Sequence, residues 1–213
     1  MRRLLRDVAY DRLRDRIVFG EDPPGTVLRE ADLAYDLGMS KAPIREALAR
    51  LTAEGLVERK AQSHTRVSEI DTREARDAVA LIRLMHTEAV RIARVTDDDL
   101  TRMRAANDRF LAAIRVSDVR TALAADEDFH GIVVDRADNG PLADTIERWS
   151  PLIRRIEVMR FGGEHAASSA ARHLELLDAL ADGDSERAAI ITSDLFGSLQ
   201  QELHDEYLAE PRS

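Results

Sequence analysis

Residues 31–60 read ADLAYDLGMSKAPIREALARLTAEGLVERK, and the order of features in this stretch decides the fold. Two short helical patterns flank Gly38. The first, over residues 30–37, offers Leu33, Ala34 and Leu37 to a core. The second opens at Ser40, a residue type favoured at helix N-caps, and runs to about Gly55. Pro43 falls in its first turn, where a missing N–H is tolerated. Ile44, Ala47, Leu48 and Leu51 recur at i, i+3, i+4 and i+7, which makes one buried stripe. Lys41, Arg45 and Ala49 share another face, with Ala42 beside them at the amino end. This is what a recognition helix needs. The apolar stripe docks it, its N-terminus points at phosphate, and long cationic side chains reach base edges. Arg45 suits a bidentate contact to guanine, while Lys41 and the Ser40 hydroxyl suit phosphate. An ordinary helical hairpin with a solvated basic face would show the same spacing.

The flanking segments favour the first reading. LVERK and TRVSEI are two strand-like runs around AQSH, expected as a small hairpin wing. Arg59, Lys60 and Arg66 would add cations along it. The candidate DNA-binding set is therefore Ser40, Lys41, Ala42, Arg45, His64, Thr65 and Arg66, although His64 fits a solvated loop equally well. Upstream, residues 7–20 carry Val8, Leu13, Ile17 and Val18 near helical spacing, and GEDPPG cannot continue that helix.

From residue 71 the texture is helical throughout. Helices are expected over about 71–94, 97–115, 118–137, 140–160, 166–181 and 184–207, with DTRE and TDDDL as capping signals and NGP, FGG and DGD as breaks. Short connections between six helices make a bundle. The expected fold is mainly α: a winged helix-turn-helix over 1–70, then an all-helical bundle of six to seven helices over 71–213.

Composition sets the outer bounds. The 213 residues hold no cysteine, which excludes a disulfide framework and thiolate metal sites. No stretch approaches the ~20 apolar residues of a membrane span, and no apolar run follows the first arginines as a signal peptide would require, so a cytoplasmic protein is expected. The net charge of −9 is uneven: residues 1–70 carry 13 Lys+Arg against 12 Asp+Glu, the remainder 18 against 28. Nucleic-acid binding needs only a local basic face, so this split permits it.

Ionisable residues also interrupt apolar stripes in the bundle. Asp126 and His130 sit among Ala122, Leu123, Val133, Val134 and Ala137; His173 lies with Leu177 and Leu180; Asp194 follows Ile190 and Ile191. Such groups are costly to bury unless hydrogen-bonded or ligating a metal. Two His and two carboxylates suit a divalent ion such as Zn, Ni or Mn, and a hydrogen-bonded core pair accounts for Asp126 and His130 as well. Arg83 and His86 share a stripe with Val79, Ile82, Val90 and Ala93, where an Arg could simply cap a packing seam.

The two segments resemble a known family. SKAPIREALARLTAEGLVERK is similar to the DNA-binding region of the GntR superfamily, and FGEDPPGTVLREADLAYDLGMS to the part preceding it, together covering residues 7–70. DEDFHGIVVDRADNGPLADTI and RHLELLDALADGDSERA resemble the FCD effector domain of the FadR-like subfamily. The resemblance implies a homodimeric transcriptional regulator, usually a repressor, bound to double-stranded operator DNA and controlled by a small organic acid. It implies DNA contacts at Ser40, Lys41 and Arg45. It further implies a metal held by Asp126, His130 and His173, and an effector cavity faced by Arg83, with His86 beside it. The family's fourth ligand, a His in the last helix, falls on Leu195 here, so neighbouring Asp194 is the candidate. Other departures are Lys41 for Arg, Ala31 for Arg, and Gln62-Ser63-His64-Thr65 where the wing tip usually has Gly. Two alternatives come from other classes: a metal-dependent helical-bundle enzyme with an accessory winged domain, and a winged-helix module that never reads DNA.

Overall fold

The computed structural model describes residues 4–59, 65–160 and 163–209. Its elements run α1 (Leu5–Val18), β1 (Val27–Leu28), α2 (Glu30–Leu37), α3 (Lys41–Ala53), β2 (Val57–Arg59), β3 (Thr65–Val67), α4 (Thr72–Ile92), α5 (Asp97–Arg115), α6 (Val119–Arg136), α7 (Gly140–Arg160), α8 (Gly163–Ala181) and α9 (Ser185–Ala209). They group into two units. One comprises Met1–Asp71 with Ser150–Val158; the other comprises Thr72–Trp149 with Met159–Ser213. The segment Ser150–Val158 of α7 thus groups with the first unit, which the division at residue 70 does not anticipate.

The first unit is a winged helix-turn-helix. Helix α2 ends at Gly38, whose φ of 64° gives the left-handed C-cap that glycine adopts without penalty. Ser40 follows in extended conformation as the N-cap of α3, but its side chain makes no capping hydrogen bond. Ile44, Leu48 and Leu51 are fully buried and Ala47 nearly so. Burial of each large aliphatic side chain stabilises by about 1.5–3 kcal/mol. They meet Leu13 and Ile17 of α1, Leu33 of α2, and Leu56, Val57 and Val67 of the wing. The wing has three strands in the order β1-β3-β2, all antiparallel, with Val57 opposite Val67 and Val27 opposite Arg66. The sequence pattern anticipates β2 and β3 and misses β1, whose two residues are too few to show alternation.

The second unit is the expected helical bundle. Thr96 and Asp99 form a complete capping box at the start of α5, and the Asp118 side chain caps α6 at Thr121 N–H. Helix α4 packs along α9, and α5 packs against α6 and α8. Phe129, Met103, Leu176, Leu177 and Ala188 make the centre of its core. A second apolar cluster of Phe110, Ala113, Ala122, Ala125, Ala166 and Ala170 adjoins α5 and α8. His173 and Asn107 lie within these layers, fully buried.

Candidate functional site

Helix α3 turns opposite chemistry to its two faces. Its aliphatic stripe is buried, and Ser40, Lys41, Ala42, Arg45 and Ala49 are exposed. Arg45 reaches back to α2: its Nη2 donates to Glu30 Oε2 at 2.9 Å and its Nε lies 3.2 Å from Oε1. The hydrogen bond and charge of Arg45 hold the Glu30 carboxyl below its usual range. This pair is open to water and readily exchanged. It fixes the guanidinium at the amino end of the exposed face. Glu30 is absent from the sequence-derived set, and its position on the preceding helix was the only signal for it. In the wing, Thr65 and Arg66 are half-buried on β3. Arg66 pairs with Glu58 across the ladder. His64 lies outside the described residues.

In the bundle, three of the four expected metal ligands come together. One atom each from Asp126, His130 and His173 lies within 4.8 Å of the others. His173 Nε2 stands 3.2 Å from His130 Nε2 and 3.4 Å from Asp126 Oδ1, and His130 Nε2 is 4.0 Å from the same oxygen. A metal with bonds of ~2.0–2.2 Å spaces its ligand atoms roughly 3–3.6 Å apart, so the donor triangle fits a divalent ion with little adjustment. Helix α6 supplies Asp126 and His130 one turn apart; α8 supplies His173.

The triangle is prepared from outside. His173 Nδ1 is 2.9 Å from Asn107 Oδ1, and the Asn107 amide donates to the carbonyl of Ala170 at 3.3 Å. An amide oxygen only accepts, so Nδ1 of His173 carries the proton and Nε2 presents its lone pair to Asp126 and His130. The His173 ring stacks on Phe129, centroids 4.1 Å apart. Burial pushes the His173 pKa well below its ordinary value, and neighbouring His130 adds to this. Burial likewise lowers His130, against the opposing pull of the Asp126 carboxylate. Both rings are therefore neutral at pH 7, the form in which imidazole ligates a metal. Asn107 was legible in principle, as a polar interruption between Met103, Ala106 and Phe110.

Asp194 is not part of this arrangement. It is exposed on α9, and its Oδ2 lies 3.6 Å from Arg172. The α9 residue that meets the cluster is Phe196, whose ring lies 5.4 Å from His130 and stacks on His86 at 4.6 Å. His86, on α4, is buried, with its ring edge-on to His130 at 5.6 Å. Burial pushes its pKa down to about 3, and His130 contributes in the same direction. One turn earlier, Arg83 is half-buried and donates to Ser193 Oγ at 2.9 Å and Gln200 Oε1 at 3.2 Å. A Cβ at Gly197 would lie 3.5 Å from its guanidinium carbon, so glycine there leaves the head group room. Both of these described partners are neutral.

Comparison with known proteins agrees with this division of features. The model for bacterial regulatory proteins of the gntR family matches residues 5–67, and the FCD domain model matches residues 77–197. The probable D-xylose utilization operon transcriptional repressor of Paenarthrobacter nicotinovorans is 30% identical, over 88% of this chain and 85% of its own length. The HTH-type transcriptional repressor RspR of Escherichia coli K12 is 27% identical, over 84% and 81%. The solved structure of E. coli McbR/YncC superposes with a TM-score of 0.77 at 20% identity, covering 97% of this chain and all of that one, and so shares the fold. Among the described residues, no helix is long and apolar enough to cross a membrane. The enzyme alternative falls with the family assignment: this chain belongs to the gntR family of bacterial regulatory proteins and is a DNA-binding transcriptional regulator with an FCD domain, not an enzyme.

Proposed function

We propose that the protein is a cytoplasmic, homodimeric repressor whose hold on its operator is set by a small organic acid bound in the helical domain. Residues 1–70 read DNA and residues 71–213 sense and dimerise. The observation that carries the reading is the exposed face of α3, with Lys41 and Arg45 aligned beside a docked aliphatic stripe. A dimer would present two such faces to a two-fold symmetric operator. Arg45 exchanges Glu30 for a guanine edge; Lys41 and Ser40 meet phosphate, with Ala42 packed close to the groove; Thr65, Arg66 and His64 follow the backbone along the wing. Repression is favoured over activation because two relatives carry the name of repressors.

In the helical domain, Asp126, His130 and His173 would hold a divalent ion, Zn, Ni or Mn. When bound, that ion supplies a Lewis-acid anchor for an effector carboxylate. Asn107 keeps His173 in the ligating tautomer. Arg83 offers a second carboxylate its guanidinium, held by the neutral Ser193 and Gln200 side chains. The effector moves operator affinity only as far as it prefers one of two arrangements of the dimer. The test is operator titration of metal-loaded protein with a panel of small mono- and dicarboxylic acids. At least one acid should weaken binding more than fivefold, and Arg83→Ala should abolish that response. No response to any acid, or an undiminished response in Arg83→Ala, contradicts the assignment.

A further inference from the structure

Thr192 of α9 is fully buried, and its Oγ1 has no hydrogen-bond partner among the described residues. A threonine on a helix has a ready remedy, the carbonyl four residues back. Thr52, Thr87, Thr101 and Thr145 all take it, at 2.7–2.9 Å. Thr192 does not, although a buried polar group without a partner is costly. Its hydroxyl is therefore available to a partner from outside its own helix.

Its position says which partner. Ala188, Thr192 and Phe196 follow one another by a turn and share a face of α9. Ala188 belongs to the core cluster of Phe129, whose ring stacks on His173. The Phe196 ring lies 5.4 Å from His130. Ile190 and Asp194, on the opposite face, are exposed. Contacts to the neighbouring helices fix the height: Asp194 meets Arg172 of α8, next to His173, and Ser193 accepts from Arg83 of α4. Thr192 thus faces inward at the level of the Asp126–His130–His173 triangle and of Arg83. We propose that Thr192 is a specificity-determining residue of the sensor site, its hydroxyl donating to an oxygen of the bound acid. The inference rests on the acid-sensing reading given above. A carboxylate oxygen and a ligand hydroxyl both accept such a bond. A site that bonds a ligand oxygen through a buried group rejects an analogue lacking it, because the group is then left unpaired.

The test is calorimetric titration of the full chain, loaded with Zn(II), with acetate, glycolate, lactate, succinate and malate. At least one of these acids should bind the wild type. Thr192→Val keeps the side-chain shape and removes the hydroxyl; it should bind that acid at least tenfold more weakly, the loss expected for a hydrogen bond to a charged group. Thr192→Ser, which keeps the hydroxyl, should bind it nearly as well as the wild type. If the bond goes to a ligand hydroxyl, glycolate and malate lose their advantage over acetate and succinate in Thr192→Val; if it goes to a carboxylate, all the acids weaken alike. The same Thr192→Val change should raise the Tm of the ligand-free protein, because it removes an unsatisfied buried hydroxyl. A residue that serves packing alone would not move acid affinity and Tm in opposite directions. Undiminished acid affinity in Thr192→Val, an equal loss in Thr192→Ser, or a lowered Tm in Thr192→Val overturns the role of Thr192 and leaves the acid reading standing. No binding of any of the five acids to the wild type overturns both.

Discussion

Helix α3 and the cluster around His173 use polar side chains under opposite conditions. On α3, Lys41 and Arg45 stand in water, and the Arg45–Glu30 pair can be exchanged for another anion at little cost. At His173 the imidazole sits in an apolar layer and must be matched in place, as Asn107 matches Nδ1. An exposed cation is therefore free to change partners, which DNA binding requires. A buried imidazole is preorganised, which ligand binding requires. The contrast predicts that salt should govern the first site and protons the second.

The largest effect expected is on α3. Charge reversal in Arg45→Glu should weaken operator binding by at least a hundredfold, because it removes a contact of about 1–3 kcal/mol and sets a carboxylate against phosphate. A smaller loss, read by fluorescence anisotropy, would place the DNA face elsewhere. Protons should act next, on the metal-free protein. His86 titrates near 3 when folded, and His130 and His173 also lie below their ordinary value. The unfolded chain, titrating near 6.5, binds more protons than each folded ring from there down to that ring's own lowered pKa. Stability should therefore be full above about pH 6.5 and fall as the pH drops toward 3, by up to about 1.4 kcal/mol per pH unit for each histidine. Urea melts between pH 7 and 4 measure this, and a flat profile would mean that these rings are not buried neutral.

Asn107→Ala should lower metal affinity about 10–100-fold by freeing the His173 tautomer, with operator affinity of the metal-free protein unchanged. Calorimetric metal titration tests this, and undiminished affinity would remove Asn107 from the site. Lys41→Ala should weaken operator binding severalfold and reduce the slope of log affinity against log salt by about one, whereas metal affinity should not respond to the same change. The smallest effect belongs to Glu30→Gln, which releases Arg45 and should tighten operator binding by a few fold at low salt. A loss instead would show that Glu30 orients Arg45 rather than competing with DNA.

The same contrast explains what was legible in the sequence. Amphipathic spacing exposes itself directly, so α2, α3 and the bundle helices follow from Leu33, Ile44, Leu48 and their repeats. Asp126, His130 and His173 were visible as interruptions of apolar stripes, because burial makes such residues rare. Their partners were harder. Asn107 is one polar residue in a stripe, and nothing local says that it faces α8. Phe196 looks like ordinary core, and only its position against His86 and His130 shows that α9 contributes a ring where a ligand was expected. Asp194 was a choice between neighbours about 100° apart around a helix, and a one-residue shift carries a side chain from the cluster to solvent. Strand β1 is fixed by pairing with β3 and not by its own two residues.

The central claim is that the exposed face of α3 reads sequence. Selection of full-length protein on random duplex DNA at physiological salt tests it most directly. A two-fold symmetric site should be enriched, with a conserved guanine in each half-site that Arg45→Ala no longer requires. Recovery of no preferred sequence, or of the same guanine by Arg45→Ala, would contradict it.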